Sequence, residues 1–509
     1  MTDVIRLAVV AGVMAFATIG WSVGGYGGAG CGLIVGLVLL VLRWRRLPLW
    51  SWASLYLGRH RRIELTEPLT VANDRSGGGV RYQDDVAVVA VQILGKPHHP
   101  TFLTGSTAAE TANTVDISEL VTSMHQSLGL TVESISVVSS GARRRATGDY
   151  PRVYDTLIGT PPYAGQRETW LVIRIRALEN GDALRWRSSV GTAALAAAQR
   201  ITMMLRCNGI RARTATATDI LEWERRLGRS ALEPHNRRWR SARSDAGWQT
   251  SYAYRPSDIT TDNLAQAWSL RADGIVQNVT LFPDGTASAT VTVRTPQPPT
   301  APPAVMLHTL NGEQAQAVQA SLCCPRTELR ALGRGPLAPS VEIAIGPSGV
   351  LLGKTSTGDR LLMPLSDPGE QSRVHIAADD AIARRIVIRA AAAGERVTVH
   401  TTDLQRWGSV RMPNIAVIEH PRPASGTTVS VIDGTVPPAP RPATVISVAP
   451  PGAAVRVPVD VVIAQTGTST IEVATSGGRY DAEVEFFRAE NRYTSRESSA
   501  LDSELELVD

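Results

Sequence analysis

The sequence predicts an α/β protein in which an N-terminal two-helix transmembrane hairpin precedes two or three cytosolic α/β domains with mixed sheets. Three observations predict it. Two apolar runs, 7–23 and 27–42, stand back to back and are followed at once by Arg43, Arg45 and Arg46. A helix-then-strand unit occupies 116–138. A strand-helix-strand alternation fills 373–432, and such alternation calls for a parallel sheet with right-handed crossovers.

Extended to about 5–24 and 27–44, each apolar run makes a helix roughly 27–30 Å long, close to the thickness of a bilayer's hydrocarbon core. Gly24-Gly25-Tyr26-Gly27-Gly28 breaks the helix where its backbone groups must reach water. Arg43, Arg45, Arg46, Arg59, Arg61 and Arg62, interleaved with Trp44, Trp50, Trp52 and Tyr56, combine a positive cytoplasmic flank with an interfacial aromatic belt. Residues 1–46 are therefore expected to anchor the chain in lipid, and 47–80 to form a juxtamembrane Arg/Trp-rich segment. Two spans put both termini and the soluble domains on the cytoplasmic side of the inner membrane. A cleaved signal peptide shares the outline of Arg6 plus an apolar stretch, but no small-residue cleavage site precedes a polar start. Ala29-Gly30-Cys31 has Gly28 where an aliphatic residue is wanted and runs into more apolar sequence.

The body opens on Asn73-Asp74-Arg75-Ser76-Gly77-Gly78-Gly79, a turn-rich approach to strand 86–93, whose valines and alanines read as buried β. Asp116 caps a helix with Ile117, Leu120, Val121, Met124 and Leu128 on one face; Gly129 stops it, and strand 132–138 follows. A loop bearing Arg143-Arg144-Arg145 and Pro161-Pro162 leads to strand 170–175, an Ala-rich helix 190–207, strand 210–213 and helix 219–227. That order predicts a first α/β domain over 81–230.

The composition shifts at His235, where Arg237, Arg238, Arg240 and Arg243 surround Trp239 and a second segment, 231–340, begins with strand 249–254. Pro283-Asp284-Gly285-Thr286 between strands 275–282 and 287–293 signals a β-hairpin, because Pro presets one turn dihedral and Gly accepts the positive one. Prolines over 296–303 make a stiff linker, and 314–322 reads as a helix. The third region, 341–488, reads as strands 341–345, 350–352, 361–365 and 373–376, helix 379–392, strand 396–400, a short helix near 403–407, and strands 414–418 and 429–432. Proline clusters at 437–442 and 450–451 interrupt it, and 461–463, 470–473 and 482–486 finish as antiparallel strands. Residues 489–509 read as an acidic disordered tail or interaction arm, with five acidic and no basic residues from Glu497 onward.

A formal charge of +5 on 509 residues is small, and much of the excess lies beside the membrane, so no nucleic-acid partner is indicated. Gly349-Val350-Leu351-Leu352-Gly353-Lys354-Thr355 ends like a phosphate loop, yet only three residues separate its glycines and a turn into another strand follows instead of a helix. Between strand 373–376 and helix 379–392, where a nucleotidase would hold phosphate, stand Ala377-Ala378-Asp379-Asp380; two carboxylates there repel polyphosphate. Asp84-Asp85 lacks the Asp-x-Asp spacing that puts two oxygens on one ion, and His98-His99 has no acidic or thiol partner nearby. The four cysteines, Cys31, Cys207 and adjacent Cys323-Cys324, lack zinc spacing and make a poor disulfide framework. No nucleophile elbow or zinc-protease motif occurs. No catalytic, cofactor-binding or metal residues are assigned, and no cofactor is expected.

The two-span amino terminus, the Arg/Trp-rich segment 43–62, the glycine-rich entry 73–79 and the long Ala/Arg-rich α/β body together resemble EccE, a membrane component of the type VII (ESX) secretion system of mycobacteria and related actinobacteria. The resemblance is one of architecture and texture over most of the length and is weakest beyond about residue 340. It implies a non-catalytic structural subunit of the inner-membrane complex, assembled with EccB, EccC and EccD, with EccC supplying the ATPase. The alternative is a membrane-tethered, glycosyltransferase-like enzyme using nucleotides or sugar nucleotides, since parallel sheets often bind nucleotides at their carboxyl edges.

Overall fold

A computed structural model describes residues 2–41, 43–44, 47–59, 62–73, 76–185, 187–434, 436–455 and 457–494. It is a mixed α/β structure with two large sheets and one N-terminal apolar helix, α1 (Thr2–Val41). Within α1, Gly24 (φ −143°, ψ 25°) and Gly25 (φ 57°, ψ −140°) leave the helical conformation. Glycines on either side of that break permit close backbone approach: a methyl group on Gly20 would collide with the Gly28 carbonyl, and one on Gly32 with the Phe16 carbonyl. Among the described residues, 10–38 of this helix are long and apolar enough to cross a membrane, and Met14, Ile19, Trp21 and Ile34 on it are exposed. A second helix, α2 (Leu49–Gly58), follows and packs against α1.

The first sheet is antiparallel throughout. Its main strands are β1 (Leu69–Asn73), β2 (Ser76–Gln83), β3 (Val86–Gly95), β4 (Ser134–Ala142), β5 (Gln166–Arg176), β6 (Gly247–Tyr254), β7 (Gly274–Leu281) and β8 (Thr286–Thr295). They lie side by side in the order β6-β8-β7-β4-β5-β3-β2-β1. The hairpin expected around Gly285 is present, with φ +75° at that glycine. Residues 231–340 do not build a sheet of their own, because β7 pairs with β4 from Ile275↔Gly141 to Leu281↔Ile135.

Among the helices of the body's first half are α3 (Tyr150–Ile158), α4 (Val190–Cys207) and α5 (Ala217–Leu227); the helix expected from Asp116 is shorter than read, Ile117–Thr122, and the one expected at 314–322 spans Gln314–Ala320. Ser189 and Thr216 each open a helix with a reciprocal capping box, which supplies two of the amide partners a helix start otherwise lacks. The glycine run in β2 now has a cause. A Cβ on Gly79 would lie 2.6 Å from the Ala217 amide nitrogen and one on Gly78 2.5 Å from Leu195 Cδ1, so α4 and the entry to α5 sit directly on the strand backbone. Trp170 of β5 and Trp223 of α5 stack with centroids 4.8 Å apart, both fully buried, a contact worth about 0.5–1.5 kcal/mol beyond its area.

The second sheet joins a parallel half to an antiparallel half. Parallel strands β9 (Ser372–Ala377), β10 (Val397–Thr401), β11 (Ile415–Ile418), β12 (Val429–Asp433), β13 (Thr444–Ala449) and β14 (Val461–Gln465) lie in the order β11-β10-β12-β13-β9-β14. Helix α6 (Asp380–Ala393) makes the crossover from β9 to β10. Strands β15 (Thr470–Thr475), β16 (Gly478–Glu483), Val350–Lys354 and Arg360–Met363 continue the sheet in antiparallel fashion.

Strand β13 falls between the two proline clusters that sequence reading treated as an interruption. Its neighbours β9 and β12 hold it by parallel pairing on both sides, and its prolines flank the strand without entering it. The short helix expected at 403–407 is a 3₁₀ turn at Gly408–Val410 instead. Two pieces of the first half also cross into the second. Thr101–Thr104 pairs with Arg360–Met363, and α3, in the stretch read as a loop, buries Tyr150, Tyr154 and Ile158 in the second core. Of the segment read as a disordered tail, 489–494 form helical turns with Glu490 and Thr494 buried; the remainder, 495–509, lies outside the described residues.

Candidate functional site

Parallel sheets present their ligand crevices beyond the carboxyl ends of the strands, so the loop between β9 and α6 is the first place where chemistry would be sought. Asp379 caps α6 there, its carboxylate accepting from the Ile382 amide at 2.9 Å, while Gln465 of β14 bonds both the Asp379 backbone and side chain. Asp380 accepts from Arg406 Nε at 2.9 Å and Nη2 at 2.6 Å. The same guanidinium donates from Nη1 to Asp433 at the end of β12, 2.6 Å away. Trp407 Nε1 and Thr401 Oγ1 complete the shell of Asp433 at 2.7 and 3.1 Å. Burial works against the Arg406 charge, but the bonds and field of Asp380 and Asp433 outweigh it and raise its pKa.

The site therefore keeps an excess of carboxylates. Arg406 is held between Asp380 at the helix start and Asp433 at the end of β12, with Asp379 beside them capping the Ile382 amide, where an incoming phosphate would need free donors. What the arrangement does chemically is lock the ends of β9, β12 and α6 together.

The remaining candidate residues are scattered. The stretch ending in Lys354 is a strand, not a loop before a helix, and Lys354 is exposed. Asp84 and Asp85 form the two-residue turn between β2 and β3, at φ 51° and 62°, with Asp85 accepting from the Leu178 amide. His98 is buried and its Nδ1 meets the Pro364 carbonyl at 2.9 Å, while burial and Lys96 lower the pKa of His99. Cys323 and Cys324 are free and buried, and burial pushes their thiols up to about 12 and about 11. Among the described residues, no group of three or more His, Cys, Asp or Glu side chains is arranged to hold a metal ion. The basic patch at 237–243 is a joint: Trp239 packs on Trp52 and Tyr56 of α2, at centroid distances of 5.8 and 6.0 Å.

Comparison with known proteins bears on the body as a whole. The family model of EccE, a translocon component of the type VII ESX secretion system, matches residues 163–254. The ESX-2 secretion system protein EccE2 of Mycobacterium tuberculosis (strain CDC 1551 / Oshkosh) is 50% identical over 515 aligned residues, covering 97% of this chain and 96% of that protein. The chain belongs to the EccE family. The ESX-1 protein EccE1 of Mycolicibacterium smegmatis is 26% identical over 72% of each chain, and the ESX-5 protein EccE5 of Mycobacterium marinum 28% identical over 34% of this chain and 44% of its own.

In this EccE chain the family-matched residues cover β5, an interior strand of the first sheet, β6 toward its far edge, and helices α4 and α5 laid on the sheet. Sequence reasoning missed the buried ion pairs of the body: Arg81–Glu224, which ties the matched region to β2, and, outside that region, Arg143–Asp155 and Arg389–Glu490. A faint signal exists in Val80-Arg81-Tyr82, an arginine inside a strand, but nothing local names its partner 143 residues away.

One consequence is testable with thiol reagents. Because the thiolate is the reactive form and burial holds Cys323 and Cys324 protonated, a maleimide at pH 8 is expected to label exposed Cys207 and leave both buried thiols unmodified. Mass spectrometry of the peptides outside the apolar helix should find Cys323 and Cys324 labelled only after denaturation; rapid labelling of Cys323 in the folded chain would contradict the burial.

Proposed function

We propose that this EccE chain is a non-catalytic structural subunit of an ESX inner-membrane secretion complex, supporting the assembly or stability of the translocation machinery. The observation that carries the reading is the 50% identity to an ESX-2 EccE2 across nearly the whole of both chains, against 26–28% to ESX-1 and ESX-5 relatives. The same contrast favours an ESX-2-type complex. EccB, EccC and EccD are the partners this reading names, with the ATPase residing in EccC. The carboxylate-rich edge of the parallel sheet, its Arg406 already held by Asp380 and Asp433, supports a body without nucleotide chemistry.

The anchor belongs to the same proposal. Break geometry at Gly24 and Gly25, and the approach of Gly32 to Phe16 across it, support two antiparallel spans joined at the glycines, since small residues let helix backbones meet closely in lipid. Both termini and the body then lie in the cytoplasm.

Deleting residues 2–46 is expected to release the body from membranes under high-salt washing and to abolish co-purification of the other ESX subunits from gently solubilised membranes. Recovery of the intact chain alone in such a purification would refute the subunit reading. Titration of the solubilised chain with ATP, GTP and sugar nucleotides is expected to show no saturation, and micromolar binding would favour the enzyme alternative.

A further inference from the structure

Opposite the face that carries α4, the first sheet is covered by residues 320–334, and between the two lies a cavity of about 510 Å³. Its walls are polar where they meet the sheet, with Ser136, Asn278, Thr280 and Thr290 turned toward it. Four arginines line it, Arg174, Arg326, Arg330 and Arg334, against one carboxylate, that of the exposed Glu328.

The arginines differ in what they already hold. Arg326 pairs with Glu133 and Glu328, and Arg334 pairs with Asp284 and lies 3.7 Å from the Phe282 ring centroid. Arg174 is 1% exposed, and it donates only to neutral acceptors, the Cys324 carbonyl and Ser136 Oγ, each at 2.7 Å. Arg330 donates to Ser54 Oγ of α2 and stands 5.6 Å from the Trp50 ring centroid. Among the described residues neither Arg174 nor Arg330 has a carboxylate within ion-pair distance. Desolvation lowers the pKa of Arg174, the mark of a buried cation whose countercharge is incomplete.

Position supplies the second argument. Arg330 ties the cavity to α2, the helix that packs against apolar α1, and it also lines a second cavity of about 480 Å³ along α2, where Arg62 is matched by Glu64 and Asp84. A guanidinium fork matches phosphate oxygens in bidentate fashion, and basic pockets beside membrane-spanning helices suit anionic headgroups.

We infer that this arginine-lined cavity binds a phosphate group, delivered as the headgroup of an anionic phospholipid whose acyl chains pass Trp50 into the bilayer. The source of the phosphate rests on the anchor proposed above; the cavity itself does not. Bound there, the phosphate compensates Arg174 and Arg330 together and fixes the body's tilt on the membrane through α2.

The test uses the full-length chain in nanodiscs of equal phosphatidylcholine and phosphatidylglycerol, scored first for incorporation and then by native mass spectrometry for retained lipid. Wild type is expected to retain phosphatidylglycerol over phosphatidylcholine by about tenfold, and the pair R326Q/R330Q to bring the ratio near one. Glu328→Gln, which removes the lining carboxylate from an exposed side chain, should raise the preference. Equal retention of both lipids by wild type, or an undiminished preference in R326Q/R330Q, would overturn the inference. So would saturable binding of pyrophosphate in all-phosphatidylcholine nanodiscs without any lipid preference, which would assign the cavity to free phosphate. Failure to incorporate at all would count against the anchor and would appear before any lipid is scored.

Discussion

Glu490→Ala should lower the stability of the second sheet by about 3–5 kcal/mol, the cost of leaving a buried charge without its partner. Glu490 and Arg389 are both fully buried, and the carboxylate accepts from Arg389 Nε at 2.8 Å, Arg389 Nη2 at 2.9 Å and the Tyr150 hydroxyl at 2.8 Å. Arg385 adds a third cationic contact at 3.4 Å. The Arg389 guanidinium meanwhile donates to the backbone carbonyls of Leu351 and Glu485. One carboxylate thus joins α3, α6, the antiparallel half of the sheet and the last described turn. Burial disfavours the Arg389 charge, and the Glu490 bond and field overcome that and raise its pKa. Removing the carboxylate reverses the balance while the arginine stays enclosed. Thermal unfolding of the detergent-solubilised chain, followed by tryptophan fluorescence, should show a midpoint drop of about 10 °C for the transition of this unit. Glu490→Gln, which keeps one acceptor, should fall between the two. A drop of less than 2 °C in the alanine variant would mean that water reaches Arg389 and the enclosure is wrong.

This pair also marks the boundary of what the sequence discloses. Helix α4 is legible because an alanine-rich run from about Val190 closes on Asn208-Gly209 just past its end. The β-α-β alternation from β9 through β12 is legible for the same reason, since each strand is a short apolar run bounded by its own turn. Strand β13 was hidden because flanking prolines read as a break, although Pro restricts only its own position and its neighbours on the ladder. The crossing of Thr101–Thr104 into the second sheet was hidden more deeply: its partner lies over 250 residues away, and no local pattern encodes a register such as Leu361↔Phe102. Glu490 stood at the edge of an acidic stretch, and charge pattern alone assigns such a residue to solvent. As for the candidate site, the sequence correctly placed Asp379 and Asp380 at a helix start, but Arg406 and Asp433 come to them only through the parallel order of the strands.

Glu224→Leu should destabilise the first sheet by a similar amount, about 3–5 kcal/mol, and the double variant R81M/E224L should recover most of it. Arg81 of β2 donates to both oxygens of Glu224 on α5, at 2.5 and 3.0 Å, and both side chains are fully enclosed. The guanidinium also donates to the Thr66 carbonyl at 2.6 Å and to the Cys323 carbonyl, while Glu224 accepts from the Cys323 amide at 3.2 Å. Desolvation is the largest influence on Arg81, yet Glu224 more than offsets it and its pKa is raised. In the leucine variant the cation keeps its two carbonyl acceptors and loses its countercharge, so the single substitution exposes the full desolvation cost. In the double variant neither fully buried charge remains to be desolvated, and Arg229, which stands 3.6 Å from Glu224 but is part-exposed, keeps Glu67 as a partner. The cycle should give an interaction energy well above 1 kcal/mol, whereas additive losses would show that the pair does not act as a unit. The Thr66 carbonyl carries the consequence outward, because it lies only eight residues beyond the end of α2 and is held by the same guanidinium. Loss of Arg81 should therefore also loosen the segment between α2 and β1, seen as faster amide hydrogen exchange at 62–68 in Arg81→Met than in wild type.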